Sequence, residues 1–98
     1  MEIIKTTEGS RLTIALDGQL DTITSQQLEK ELRISIDGMT DLIFDLANLD
    51  YITSAGLRVL SFAQKVMNRQ GRMSILNTQP DVKEIFDVTG LSDIMEIK

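Results

Sequence analysis

The sequence predicts an α/β domain built on a single layer of mixed β-sheet, four to five strands wide, with three or more helices packed on it. Three observations carry that reading. An alternating pair of segments opens the chain, and short apolar runs then take turns with segments of helical spacing. Helix-start and helix-stop residues stand at the joins between them. No internal repeat, low-complexity tract or long linker interrupts the 98 residues, and the one Pro and six Gly lie mostly at element ends. Residues 1–98 therefore read as one domain, large enough to bury a single core without disulfide or metal staples.

The elements follow in order. Leu12, Ile14 and Leu16 alternate with Arg11, Thr13 and Ala15, which is the period of a half-buried strand. Glu2 to Thr6 precedes it across Glu8-Gly9, so the two form a predicted hairpin. Thr24 with Gln27 three residues on fits a capping box, and Ile23 and Leu28 stand where a hydrophobic staple would close. A helix is expected to begin at Thr24, with Leu28, Leu32 and Ile36 toward the core, Gln26, Glu29, Lys30 and Arg33 toward water, and Gly38 as its stop.

Leu42-Ile43-Phe44-Asp45-Leu46 is a nearly continuous apolar run, which predicts a central strand covered on both faces, followed by a polar loop. The second helix should run from Ser54 to about Gln70. At about 100° per residue, Gly56, Val59, Leu60, Ala63, Val66 and Met67 form its buried stripe, while Ser54, Arg58, Ser61, Lys65 and Asn68 point away. A strand is expected from Met73 to Leu76, after the Gly71 stop. Thr78 is placed to cap a third helix containing Val82, Ile85 and Phe86, with Gly90 ending it and Leu91 touching Phe86 in a Schellman arrangement. Ile94 to Ile97 reads as a last edge strand. The methionines are scattered and read as core filler.

Composition excludes several function classes. Without Cys there is no thiol nucleophile, disulfide framework or Cys-based zinc site, which suits a reducing compartment. Without His, a Ser-His-Asp hydrolase is impossible, and the commonest metal ligand is missing. Fifteen acidic against ten basic residues give a net charge of -5, and no basic patch offsets the repulsion from a nucleic acid backbone. The N-terminus does not read as a signal peptide, and no apolar run approaches the ~20 residues needed to span a bilayer. The expected setting is the cytoplasm, with no nucleic acid partner and no direct membrane insertion.

The stretch Asp50-Tyr51-Ile52-Thr53-Ser54-Ala55-Gly56-Leu57 holds the candidate site. Two readings of Ser54 compete. It caps the second helix, as Ser commonly does, or it is the atom on which function turns. Leu57 favours the second reading, because it projects roughly 60° from Ser54 on the polar side and would set an exposed leucine beside the hydroxyl. Asp21 likewise reads either as a turn residue or as part of a functional loop. Asn48 and Asp50 read as loop formers, since their spacing lacks the calcium-loop pattern.

The run Asp45-Leu46-Ala47-Asn48-Leu49-Asp50-Tyr51-Ile52-Thr53-Ser54-Ala55-Gly56-Leu57 closely resembles the loop and helix start of the STAS domain, as found in the bacterial anti-sigma factor antagonists. Gly18-Gln19-Leu20-Asp21 followed by Thr24 is similar to a second signature of that family, and Ile85 to Leu91 to its C-terminal helix and glycine stop. The resemblance spans essentially the whole chain and implies a STAS-type sheet.

It also implies a partner-switching protein rather than an enzyme. In that family an anti-sigma factor that is itself a serine kinase binds the unphosphorylated antagonist and releases its sigma factor. Phosphorylation of the serine before the small residue and Gly cancels the binding, and a serine phosphatase restores it. By position that serine is Ser54. The partner surface carried over comprises Asp21, Thr22, Asn48, Asp50, Thr53, Ser54, Leu57, Arg58 and Ser61. No cofactor is implied for this chain, since ATP and Mg belong to the kinase, and a monomer or weak dimer is expected.

One departure bears on the site. The family often has Asp before the phosphorylated serine, and here stands Thr53, a second hydroxyl that makes Thr53 the fallback acceptor. Ser54 is favoured because it immediately precedes Ala55-Gly56. An alternative function within the family is a STAS regulatory subunit of a transporter ATPase or of another non-sigma signalling complex. A third reading, a small enzyme or nucleotide-binding protein, lacks both a GxxxxGK[ST] loop and a His or Cys to activate a nucleophile.

Overall fold

A computed structural model describes residues 1–98. Strand β1 (Glu2–Glu8) turns into β2 (Arg11–Leu20) through Gly9 and Ser10. Gly9 has φ +61, the sign that the first position of a tight type II′ hairpin loop demands and that Gly adopts without strain. Then come α1 (Thr22–Ser35), β3 (Asp41–Ile52), α2 (Ser54–Gln70), β4 (Arg72–Leu76), α3 (Pro80–Val88), a short 3-10 turn at Leu91–Asp93 and β5 (Glu96–Ile97). The five strands lie side by side in chain order, β1 antiparallel to β2 and every later pair parallel. Parallel neighbours cannot be joined by a tight turn, so each later connection carries a helix. The mixed sheet with three helices is the architecture expected from the sequence.

Register explains the core. Leu12 aligns with Leu42 and Met73, and Ile14 with Phe44 and Ile75, so these six share one face of the sheet. All are 3% exposed or less. Leu28 and Leu32 of α1, Leu60 and Met67 of α2, and Val82 and Phe86 of α3 join them in one hydrophobic cluster of 21 buried residues. Each large side chain so buried contributes about 1.5–3 kcal/mol, the dominant favourable term in folding. On the same face Lys5 pairs with Glu31 and donates to Ser35 Oγ at 2.9 Å, tying β1 to α1. The other face carries the ion pairs Arg11–Asp41 at 3.0 Å and Arg72–Glu96 at 2.6 Å. There Ile43 and Asp45 are only half-buried, so β3 is fully covered on one face, not on two as its apolar run suggested.

Local chemistry moved several boundaries. The N-cap of helix α1 lies three residues before the expected Thr24, at Asp21, and Thr24 is instead the third helical residue, closing the capping box. Ile23 thereby turns outward and closes no staple. The predicted polar loop after Leu46 is strand instead: β3 continues to Ile52, paired with β2 through two register shifts. Helix α3 begins at Pro80 with Gln79 as N-cap, since Pro supplies the φ of a first helical residue and lacks the N–H that would go unused there. Thr78 therefore caps nothing. At the far end Gly90 adopts φ +80 and donates to the Asp87 carbonyl at 3.2 Å, the stop expected of it. In α2, Gln64 is buried and Val66 half-buried, a small rotation of the predicted stripe.

Helix α2 is fixed at both ends by glycines that approach other chain segments closely. A Cβ on Gly56 would lie 2.8 Å from the Leu20 side chain and 2.9 Å from Ile52. One on Gly71 would lie 2.0 Å from the Thr40 carbonyl oxygen. Beside Gly71, Gln70 Nε2 donates to the carbonyls of Ile36 and Met39, both at 2.8 Å, closing the α1–β3 connection onto the helix. No helix is long and apolar enough to cross a membrane.

Candidate functional site

Strands β2 and β3 run parallel, so α1 and α2, which follow them directly, both start at the same edge of the sheet. The Thr53 amide and hydroxyl both donate to the Leu20 carbonyl, at 2.9 and 3.2 Å, and lock the two helix starts together. Thr53 is the N-cap of α2, extended at φ -99 and ψ 174, yet its side chain makes no capping bond. Its hydroxyl is spent on Leu20.

Ser54 is the first residue of α2, not its cap, and its side chain is exposed with no hydrogen bond within the chain. The capping reading is thereby set aside. The first α2 bond runs from the Leu57 amide to the Thr53 carbonyl at 3.0 Å, leaving the amides before it as the unpaired donors of a helix start. Nothing acidic stands in that first turn. Helix α1 is closed quite differently: the Asp21 carboxylate accepts from the amides of Ile23 at 3.0 Å and Thr24 at 2.9 Å, while Thr24 Oγ1 accepts from the Asp21 amide at 2.8 Å. The Thr24 amide, and then its hydroxyl, hold the Asp21 carboxyl below the usual carboxylate range. One helix start is filled by a carboxylate and its neighbour is left open.

Gly56 explains how Ser54 comes to this edge. Its lack of a side chain lets the first turn of α2 settle onto buried Leu20 and Ile52. Leu57, expected to be exposed, is half-buried and packs on the core, so only part of it faces out beside Ser54. Arg58 and Ser61 follow one and two turns after Ser54 on the same face; Arg58 is exposed and Ser61 half-buried. Thr22 opens α1 and is exposed, as is Asp50 near the end of β3. Asn48 is also exposed but lies opposite Asp17, roughly 16 Å of strand before Thr53. Asn48 and Asp50 are thus strand residues rather than loop formers, with Leu49 buried between them.

The sequence does not anticipate the exposure of Tyr51, or of Ile23, which its spacing places in a staple. Tyr51 is 52% exposed on the β3 extension opposite Gln19, and Ile23 is 72% exposed in the first turn of α1. The signal for Ile23 lay in Asp21, whose capping role rotates Ile23 outward. No group of Asp and Glu side chains converges in a way that would hold a metal ion. A shallow cleft between the starts of α1 and α2 is lined by Thr22, Ser25, Gln26, Glu29, Ala55, Arg58 and Val59.

The fold and this edge define a small α/β domain that offers an exposed hydroxyl with a partly apolar surround. The chain belongs to the STAS domain family, which matches it over residues 2–98. It is 35% identical over 88 residues to a Bordetella bronchiseptica protein provisionally named anti-sigma factor antagonist BtrV, covering 88% of this chain and 76% of that one. It is 29% identical over 99 residues to the anti-sigma-B factor antagonist of Staphylococcus aureus, covering 99% and 92% of the two chains. Its fold matches that of the anti-sigma factor antagonist SpoIIAA in its unphosphorylated form with a TM-score of 0.87, at 22% identity over 99% of this chain and 88% of that one. A structure of Bacillus SpoIIAA in its phosphorylated form matches with a TM-score of 0.79, at 21% identity over 99% and 91%.

Proposed function

We propose that this protein is an anti-sigma factor antagonist whose docking is switched off by phosphorylation of Ser54. The observation that carries the choice of residue is the contrast at the α2 start: the Ser54 hydroxyl is exposed and unbonded, whereas the Thr53 hydroxyl donates to Leu20. Ser54 is the oxygen a kinase can reach. The family relatives named as antagonists favour an anti-sigma factor partner over a transporter ATPase.

The partner is an anti-sigma factor acting as a serine kinase, bringing its own ATP and Mg. The terminal phosphoryl group of ATP passes to Ser54 Oγ, forming the O–P bond and releasing ADP and the hydroxyl proton. A serine phosphatase reverses the change in the same cytoplasmic compartment. Binding uses the half-exposed edge formed by Ser54, Leu57 and the neighbouring starts of α1 and α2. A phosphoryl group adds about -1.5 to -2 charge and three acceptor oxygens. Covering them with a partner built for a neutral hydroxyl costs several kcal/mol of desolvation and unpaired charge, enough to abolish docking. Folding is spared because the modified atom has no role in the core.

The test is incubation with the cognate kinase and ATP, followed by intact mass and peptide mapping. One phosphate is expected on the native chain, none on Ser54→Ala and one on Thr53→Val. A Ser54→Ala chain that is still fully modified, or a phosphorylated chain that captures the anti-sigma factor as well as the unmodified one, would sink this reading.

A further inference from the structure

We propose that Arg58 is the built-in counter-ion of a phosphoryl group on Ser54, so that phosphorylation adds a dianion to the docking edge and also withdraws a free guanidinium from it. The inference rests on Ser54 being the acceptor. It deepens that reading by assigning the residue that holds the modified form.

Ser54 and Arg58 stand four residues apart on α2, the spacing at which helical side chains are surface neighbours. Both are exposed. Helical side chains lean toward the N-terminus, a direction that lets the long arm of Arg58 reach the turn that carries Ser54. Its guanidinium is uncommitted. Arg11, Arg33 and Arg72 each pair with a carboxylate, but Arg58 takes part in no salt bridge.

The acidic groups at the head of α1 and in the shared cleft are engaged elsewhere. Helix α2 holds no Asp or Glu, and its charges are Arg58, Lys65 and Arg69 in a chain whose acidic residues outnumber its basic ones by fifteen to ten. From α1, packed alongside, Glu29 lines the same cleft as Arg58 and is itself paired with Arg33 at 3.4 Å. Asp21 at the head of α1 is occupied by its own helix amides. A cation this close to a helix N-terminus is opposed by the helix dipole, and a phosphate one turn back reverses that balance. The planar guanidinium fork suits two phosphate oxygens at once.

The test uses the full chain with phosphoserine installed at residue 54 during translation, titrated by 31P NMR. A neighbouring cation favours the dianion, so the second phosphate ionisation of the native chain is expected about half a pH unit below that of Arg58→Gln. Arg58→Lys falls between them. Lys65→Gln, which removes the same charge about 16 Å along the helix from Ser54, should match the native chain. Coincident midpoints for the native chain and Arg58→Gln would overturn the proposal, and so would an equal shift in Lys65→Gln. Failure of the kinase to modify the unphosphorylated chain would instead strike at the acceptor assignment, since the NMR comparison needs no kinase.

Discussion

Thr53 and Leu20 are joined twice, because the amide and the hydroxyl of Thr53 both donate to the Leu20 carbonyl, at 2.9 and 3.2 Å. This pair of hydrogen bonds from one residue to one oxygen holds the ends of β2 and β3 together. It also distinguishes two adjacent hydroxyls, one bonded within the chain and one exposed without a bond.

Thr53→Val keeps the shape of the side chain and removes the hydroxyl donor. It should lower stability by about 1 kcal/mol, as expected for one lost hydrogen bond, with the urea midpoint falling at unchanged slope. Phosphate incorporation at Ser54 should persist. Loss of modification in a folded Thr53→Val chain would point to Thr53 as the acceptor.

Gly56→Ala tests the close approach of α2 to the strand ends. The added methyl meets the side chains of Leu20 and Ile52, both buried, at 2.8 and 2.9 Å, so one of them has to shift. Overpacking of about 1–3 kcal/mol, partly offset by the better helix propensity of Ala, gives an expected net loss of about 1–2 kcal/mol. Chemical denaturation reads this directly. Partner capture should weaken as well, since Ser54 and Leu57 ride on the displaced turn.

Gln70→Leu should destabilise without touching the docking edge. The Gln70 side chain satisfies the Ile36 and Met39 carbonyls together. Leaving these carbonyls to find water at the α1–β3 connection is expected to cost about 1–3 kcal/mol. Phosphorylation kinetics measured well below the melting temperature should be unchanged.

Asp21 makes stability depend on pH in a defined direction. Hydrogen bonds from Thr24 lower its folded-state pKa below the ordinary value of 3.8. The unfolded chain therefore binds the proton more readily, so the contribution is fully present above pH 3.8 and is lost as pH falls through the lower folded value. Asp87, lowered chiefly by its bond from Ser92, and Glu96, lowered chiefly by Lys98, act in the same sense. Against Asp21→Asn, the native chain should be the more stable in urea melts near neutral pH, with the difference shrinking through the acid limb. A difference that stays constant down to pH 2 would show that the Asp21 charge contributes nothing.

Most of the sheet and the core was legible because it depends on periodicity. Leu12, Ile14 and Leu16 alternate, Leu28 and Leu32 recur at helical spacing, and all five are buried as their spacing requires. The stops at Gly38, Gly71 and Gly90 fell near element ends because few other residues tolerate such junctions. What escaped was decided by contacts between segments distant in sequence. The β3 extension, with polar Asn48 and Asp50, reads as a loop until β2 supplies a pairing partner. The choice between Asp21 and Thr24 as cap could not be made from spacing, since either starts a plausible box. Likewise the division of labour between Thr53 and Ser54 depends on a carbonyl at Leu20, thirty-three residues away.

The two glycines that seat α2 against Leu20, Ile52 and Thr40 have a bearing on how any signal could leave Ser54. A helix seated this closely at both ends argues against a signal carried through the molecule as motion. Modification of Ser54 should instead act as a local change of electrical sign at the α2 start, with amide exchange across the sheet the same before and after.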